Sequence, residues 1–147
     1  MASKGKIFDS PRGWVRSHIR EYVESDGAKG HRWRGLPTLL LTTRGRKSGK
    51  LRRTALIYGR DRKNYLLVAS NGGAPNHPLW YLNLVENAKV ELQVGADKFA
   101  AKAHIATTKE KQRLWQVMSK IFPLYDKYQA QVAKAGRGIP LVIVEPI

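Results

Sequence analysis

Three short stretches of this 147-residue chain carry residue types that bind or orient a ligand. Gly45-Arg46-Lys47-Ser48-Gly49-Lys50 combines glycines, cations and a hydroxyl. Glycines expose backbone N–H groups, and Arg and Lys add charge-assisted hydrogen bonds, so the composition suits a phosphate. It is not a Walker A loop, because no Gly-Lys-Ser or Gly-Lys-Thr triplet is present. Ser70-Asn71-Gly72-Gly73 is a second donor-rich stretch. Its glycines either make an ordinary turn or let the backbone approach a planar or anionic ligand. Phe122, Tyr125 and Tyr128 are spaced by three and share one helical face, as core packing or as a wall of a site. Trp80, beside Tyr81, is either core or an aromatic wall for a flat heterocycle.

The residues that are missing narrow the chemistry. There is no cysteine, which excludes disulfides, thiolate metal sites and a cysteine nucleophile. His18, His31, His77 and His104 lack ligand spacing, so no metal site is expected. No Ser/His/Asp order stands out, and no pair among the 11 acids looks catalytic. A bound redox cofactor would carry the reaction itself and leave the protein to bind and orient.

The charge points the same way. The chain has 27 Lys and Arg against 11 Asp and Glu, a net charge of +16. Residues 1–63 hold 17 of these cations and 5 of the acids. Such an excess calls for nucleic acid, a membrane surface or an anionic small molecule. Arg44–Arg53 packs six cations into ten residues (Arg44, Arg46, Lys47, Lys50, Arg52, Arg53) but contains no aromatic, which argues against stacking of bases. No apolar run is long enough to span a bilayer. Residues 1–8 lack the apolar core of a signal peptide, so a cytoplasmic protein is expected.

These residues must be positioned by one domain, since the length leaves little room for two. A first helix is expected from Ser10, with Pro11 at its first position, closed by Gly27 and Gly30. Its apolar side, Trp14, Val15, Ile19 and Tyr22, is expected to pack on the domain or cover the site; peripheral membrane contact is the alternative use. Strands are expected at residues 37–43, 51–58 and 65–70, with the basic turn between the first two. A short helix over 78–86 follows, then strands at 89–94 and 99–105. Thr107 and Glu110 have capping-box spacing and open a helix with Leu114, Trp115, Met118 and Ile121 on one side. Pro123 interrupts it, a further helix runs to about Ala135, and a last strand covers 139–144. Six strands without regular crossover helices predict an α+β fold, an antiparallel barrel or strongly curled sheet with peripheral helices.

Taken in order, Leu39–Gly49, Val68–Gly73 and Pro78–Leu84 resemble the deazaflavin (coenzyme F420)-dependent nitroreductase family. The resemblance continues through Phe122–Gln129 and Ile139–Pro146 and spans residues 33 to 147. It implies an N-terminal helical segment, 1–32, on a split β-barrel, 33–147, related to FMN-binding proteins. It implies reduced F420, a hydride donor with a phosphodiester and oligoglutamate tail, and a small, hydrophobic, electron-poor acceptor such as a quinone, nitro compound or enone. By motif position, Arg46, Lys47, Ser48 and Gly49 would hold the phosphate end, with Arg52 on the tail. Ser70, Asn71, Gly72 and Gly73 would border the ring, Trp80 would wall the groove, and Tyr125 and Tyr128 would face the substrate. Asn71 stands where a lysine is common in this family, and Phe122 where a tyrosine can occur. An FMN-binding oxidoreductase of the same fold and a basic nucleic-acid-binding module are the alternatives.

Overall fold

The computed structural model describes residues 6–147. Residues 1–5 of the expected N-terminal segment, and with them most of the stretch read as lacking a leader, lie outside the described residues. The N-terminal part holds strand β1 (Ile7–Asp9), helix α1 (Gly13–Glu24) and strand β2 (Arg32–Trp33). A hairpin follows, β3 (Leu36–Arg44) and β4 (Leu51–Ile57), then a smaller one, β5 (Gly59–Asp61) and β6 (Asn64–Val68). Helix α2 (Leu79–Glu86) leads to a third hairpin, β7 (Lys89–Val94) and β8 (Asp97–Ile105). Helices α3 (Thr108–Ile121) and α4 (Leu124–Ala133) precede strand β9 (Leu141–Pro146).

The sheet runs β1-β4-β3-β7-β8-β9-β6-β5, with β2 paired to β3 outside this path. The six long strands are those the sequence predicts, and their pairings with one another are antiparallel. Beyond the six expected strands, the structure adds β1, β2 and β5. Each has only two or three residues, too few to show an alternating pattern. β1 pairs with β4 in parallel, which departs from an all-antiparallel sheet.

The apolar alternation explains how the sheet curls. In β9, Val142 and Val144 enter one cluster with Leu39, Leu41, Leu67, Val90, Leu92 and Ala103. Leu141 and Ile143, on the opposite face, pack with Leu66, Val68, Leu114, Met118 and Val132. Strand side chains alternate between faces, so a run buried throughout must have something packed on both sides. Here the inner side is the interior shared by β3, β6, β7, β8 and β9, and the outer side is covered by α3 and α4. Met118 and Leu114 are the fully buried anchors of α3; truncating either to alanine costs about 2–5 kcal/mol by the usual cavity term.

Helix α1 seals another part of the sheet through Val15, Ile19 and Tyr22 on Leu40. It begins at Gly13, not at the expected Ser10. Ser10 instead prolongs the strand, its N–H donating to the Arg53 carbonyl at 2.9 Å. At the other end Gly27 has φ +82°, and its N–H reaches back to the Tyr22 carbonyl at 2.8 Å. The Tyr22 hydroxyl accepts from the Gly95 N–H at 2.7 Å and points its own hydrogen at the carbonyls of Thr38 (3.0 Å) and Gln93 (3.2 Å). Burial pushes this phenol up to about 12. The last strand starts two residues later than predicted, because the Ile139 N–H is held by the Gln129 side chain at 3.1 Å. Among the described residues no helix is long and apolar enough to cross a membrane.

Candidate active site

A cavity of about 790 Å³ opens where the β3–β4 turn, the loop after β6, and the starts of α1, α2 and α4 converge. Ten of the expected site residues line it: Arg46, Lys47, Ser48 and Arg52; Ser70, Asn71 and Gly72; Trp80; Tyr125 and Tyr128. They come from four separate segments of the chain. Gly49 and Gly73 are not among the lining residues. Gly49 has φ +70°, and its N–H and carbonyl are both spent inside the turn, on the Gly45 carbonyl (2.9 Å) and Arg44 Nη1 (2.7 Å). Gly73, at φ +83°, lies beneath α4, where an added Cβ would be 3.1 Å from Tyr128 Cδ1.

The basic turn is held open by its own hydrogen bonds. Gly45 N–H donates to the Lys50 carbonyl at 2.7 Å, and Lys50 N–H donates to Ser48 Oγ at 3.2 Å. Asn83, buried on α2, accepts from the Arg46 N–H at 3.1 Å and donates to Thr43 Oγ1 at 3.1 Å. Among the described residues the N–H groups of Lys47 and Ser48 have no protein acceptor. Two unspent N–H groups flanked by cations form a cradle for an anion.

The cationic field extends along the cavity edge. Lys6, Lys50 and Arg52 gather over the ring of Phe8, with their charged atoms 5.2, 5.1 and 5.4 Å from its centre. Arg53, the neighbouring cation, is committed to Asp9 by a bidentate pair (Nε–Oδ1 2.6 Å, Nη2–Oδ2 3.2 Å) that fastens β1 to β4. Lys6, Lys50 and Arg52 have no ion-pair partner among the described residues.

Another part of the lining is aromatic. Phe122 lies 4.9 Å from Tyr125 and 6.2 Å from Tyr128 between ring centres, and Trp33 meets it edge-on at 6.4 Å. Trp14 of α1 stacks on Trp33 at 5.9 Å and is itself 58% exposed at the cavity mouth. Burial, with a smaller contribution from Tyr128, holds the Tyr125 phenol well above its ordinary value of 10. Among the described residues its hydroxyl has no hydrogen-bond partner. Each histidine is engaged separately: His18 with the Gly30 carbonyl, His31 with Tyr58, His77 with Arg137 and His104 with Glu110.

Sequence reasoning missed Phe8, Trp33 and Asn83 as parts of this site. Trp14, expected to pack on the domain or cover the site, lines the cavity, whereas nothing local places Phe8 or Trp33 there. A buried Asn on a short helix also leaves no periodic signal.

Comparison with known proteins agrees with this geometry. The family model for F420H(2)-dependent quinone reductase matches residues 14–146. The chain is 38% identical over 133 residues to F420H(2)-dependent quinone reductase Rv1261c of Mycobacterium tuberculosis, covering 88% of each chain. It is 39% identical over 111 residues to a second, putative F420H(2)-dependent quinone reductase of that organism, Rv3178, covering 76% of this chain and 91% of the relative. Among solved structures, an F420-H2 dependent reductase (FDR-A) superposes with TM-score 0.67 at 36% identity, covering 74% of this chain and 94% of that one. A domain-swapped dimer superposes with TM-score 0.70 at 34% identity, covering 92% and 100%. A putative pyridoxamine 5'-phosphate oxidase from Listeria innocua, at 12% identity and TM-score 0.51 over 74% of this chain and 82% of that one, shares the fold alone. The expected split barrel is therefore the fold, and a match over nearly the whole length carries the assignment: the chain belongs to the F420H(2)-dependent quinone reductase family.

Proposed function

We propose that the cavity binds reduced F420 and a quinone together, with the basic turn at the tail end and the aromatic wall at the acceptor end. The observation that carries this reading is the double lining of one cavity: cations and unspent N–H groups from the basic turn, and Phe122, Tyr125, Tyr128 and Trp33 from other segments. Family membership sets aside the FMN-binding and nucleic-acid alternatives.

The residues present fit the cofactor. Arg46, Lys47 and Ser48 would hold its phosphodiester, and Arg52 with Lys50 and Lys6 its carboxylate tail. Ser70, Asn71 and Gly72 would border the ring, with Trp80 as a side wall. Bound reduced F420 supplies a hydride, and a quinone that takes up a hydride and a proton becomes a hydroquinone. The chain's own task is to hold donor and acceptor about 3–3.5 Å apart and to keep water out. Tyr125 stays a neutral phenol, so it donates a hydrogen bond to an acceptor carbonyl and fixes its orientation. Tyr128, less buried, delivers the proton. Trp14 and Leu79, both exposed at the mouth, give an apolar quinone its entry. The protein would act in the cytoplasm, and the same two side chains would be its contact with a membrane surface.

Titration of the protein with F420, followed by quenching of tryptophan fluorescence, should give a micromolar or tighter Kd. Addition of a naphthoquinone should then oxidise F420H2 catalytically. Absence of binding overturns the reading.

A further inference from the structure

The loop between β6 and α2 has its carbonyl groups tied down on one side. Arg137, half-buried in the turn after α4, is the fastening. Its Nη2 donates to the carbonyls of Ser70 (2.8 Å) and Ala74 (3.1 Å), Nε also to Ala74 (3.4 Å), and Nη1 to Ala69 (3.3 Å) and Gly138 (3.4 Å). Nη1 also meets His77 Nδ1 at 3.0 Å, which must be the unprotonated ring nitrogen to accept. Gln131 takes the Gly73 carbonyl at 2.8 Å, and Asn71 Nδ2 takes that of Asn76 at 2.9 Å.

The N–H groups of the loop show the opposite pattern. Those of Gly73 and Ala74 are spent on the Ser70 and Asn71 carbonyls. Those of Ser70, Asn71 and Gly72 have no acceptor among the described residues. Ser70 is right-handed helical (φ −78°, ψ −32°) and Asn71 left-handed (φ +52°). A right-handed residue followed by a left-handed one turns three successive N–H groups into one concavity, which holds an electronegative oxygen. Ser70, Asn71 and Gly72 all line the cavity.

We propose that Arg137, from outside the cavity, is a positioning residue that holds Ser70, Asn71 and Gly72 as a three-donor cradle for a carbonyl oxygen of the bound deazaflavin ring. The inference rests on the cofactor reading above. A left-handed Asn has a conformational cost, and a loop this short has no core of its own to impose it. The guanidinium supplies that constraint by taking three carbonyls of the loop at once in a fixed planar fork, which a lysine does not reproduce.

The test compares two ligands, F420 and the 8-hydroxy-5-deazaflavin chromophore that lacks the phosphodiester tail. Each is titrated by tryptophan fluorescence into wild type, R137A and R137K. R137A should bind the tailless chromophore at least tenfold more weakly, with the ratio of the two dissociation constants, which reports the tail, unchanged. Millimolar methylguanidinium should recover part of the loss in R137A and have no effect on wild type. R137K should fall between the two, and it carries the test alone if R137A does not fold. Chromophore binding by the variants within twofold of wild type overturns the proposal and leaves the cofactor reading standing. A change in that ratio, so that the tail contribution is lost along with the ring's, without guanidinium rescue, overturns it as well, by showing general damage. Failure of wild type to bind either ligand overturns the cofactor reading itself.

Discussion

At the scale of single residues, the site depends on neutral groups fixed in place more than on titrating ones. Tyr125 is the clearest instance. Its phenol is raised by burial, so the protonated, hydrogen-bond-donating form persists well past neutral pH. Y125F should therefore lower kcat with a quinone by about 10–100-fold while leaving the Kd for F420 within about twofold, and the wild-type rate should show no alkaline limb from this group below pH ~9. Steady-state rates across pH, paired with F420 titrations, check both parts. A titration limb near pH 7 that disappears in Y125F would refute the neutral-donor role. Asn83 is a second instance: fully engaged between Thr43 and the Arg46 N–H, it joins α2 to the basic turn and sets where that turn's donors face.

At the scale of elements, each piece of the site is the end of something rigid. The basic turn ends the β3–β4 hairpin, the donor loop ends β6, and the tyrosines open α4. Helix α3 holds α4 in place by packing behind it, and its own start is set by a reciprocal cap. Glu110 N–H donates to Thr107 Oγ1 at 3.2 Å, and Thr107 N–H donates to Glu110 Oε1 at 2.9 Å. T107A should cost about 1 kcal/mol and lower Tm by about 2–4 °C, read by thermal unfolding at pH 7. The Glu110 carboxyl sits below its ordinary 4.5, chiefly through the Thr107 N–H. Its contribution is present above pH 4.5 and is lost as pH falls through that lowered value. The gap between wild type and E110Q should accordingly narrow in acid.

At the scale of the whole molecule, part of the charge of +16 lies beside the cavity. Arg46, Lys47, Lys50 and Arg52 all surround the basic turn, and Lys6 is brought to them by β1. Such a field attracts a polyanion over distances of about a Debye length, roughly 10 Å at 0.1 M salt. Raising salt from about 0.05 M to about 0.5 M should weaken F420 binding several-fold and leave the tailless chromophore nearly unaffected. Equal salt sensitivity of the two ligands would show that the cations do not read the tail.

The sequence by itself determined the pattern-bearing parts of this protein. The β7 strand, the Thr107 cap, the break at Pro123 and the hairpin around the basic turn follow from periodicity, capping chemistry and proline, which act within a few residues. The motif order also marked ten residues that now line one cavity. The tertiary structure alone decided the rest, because those features arise between segments far apart in the chain. Phe8 became the seat of a cation cluster through a parallel pairing with β4 that three residues cannot announce. The helix expected at Ser10 was delayed because a strand 43 residues away claims that N–H. Arg137 carries no local signal at all. Its place beside Ser70 and Ala74 exists only after β9 and β6 pair, since side-chain fastenings across a sheet depend on which strands become neighbours.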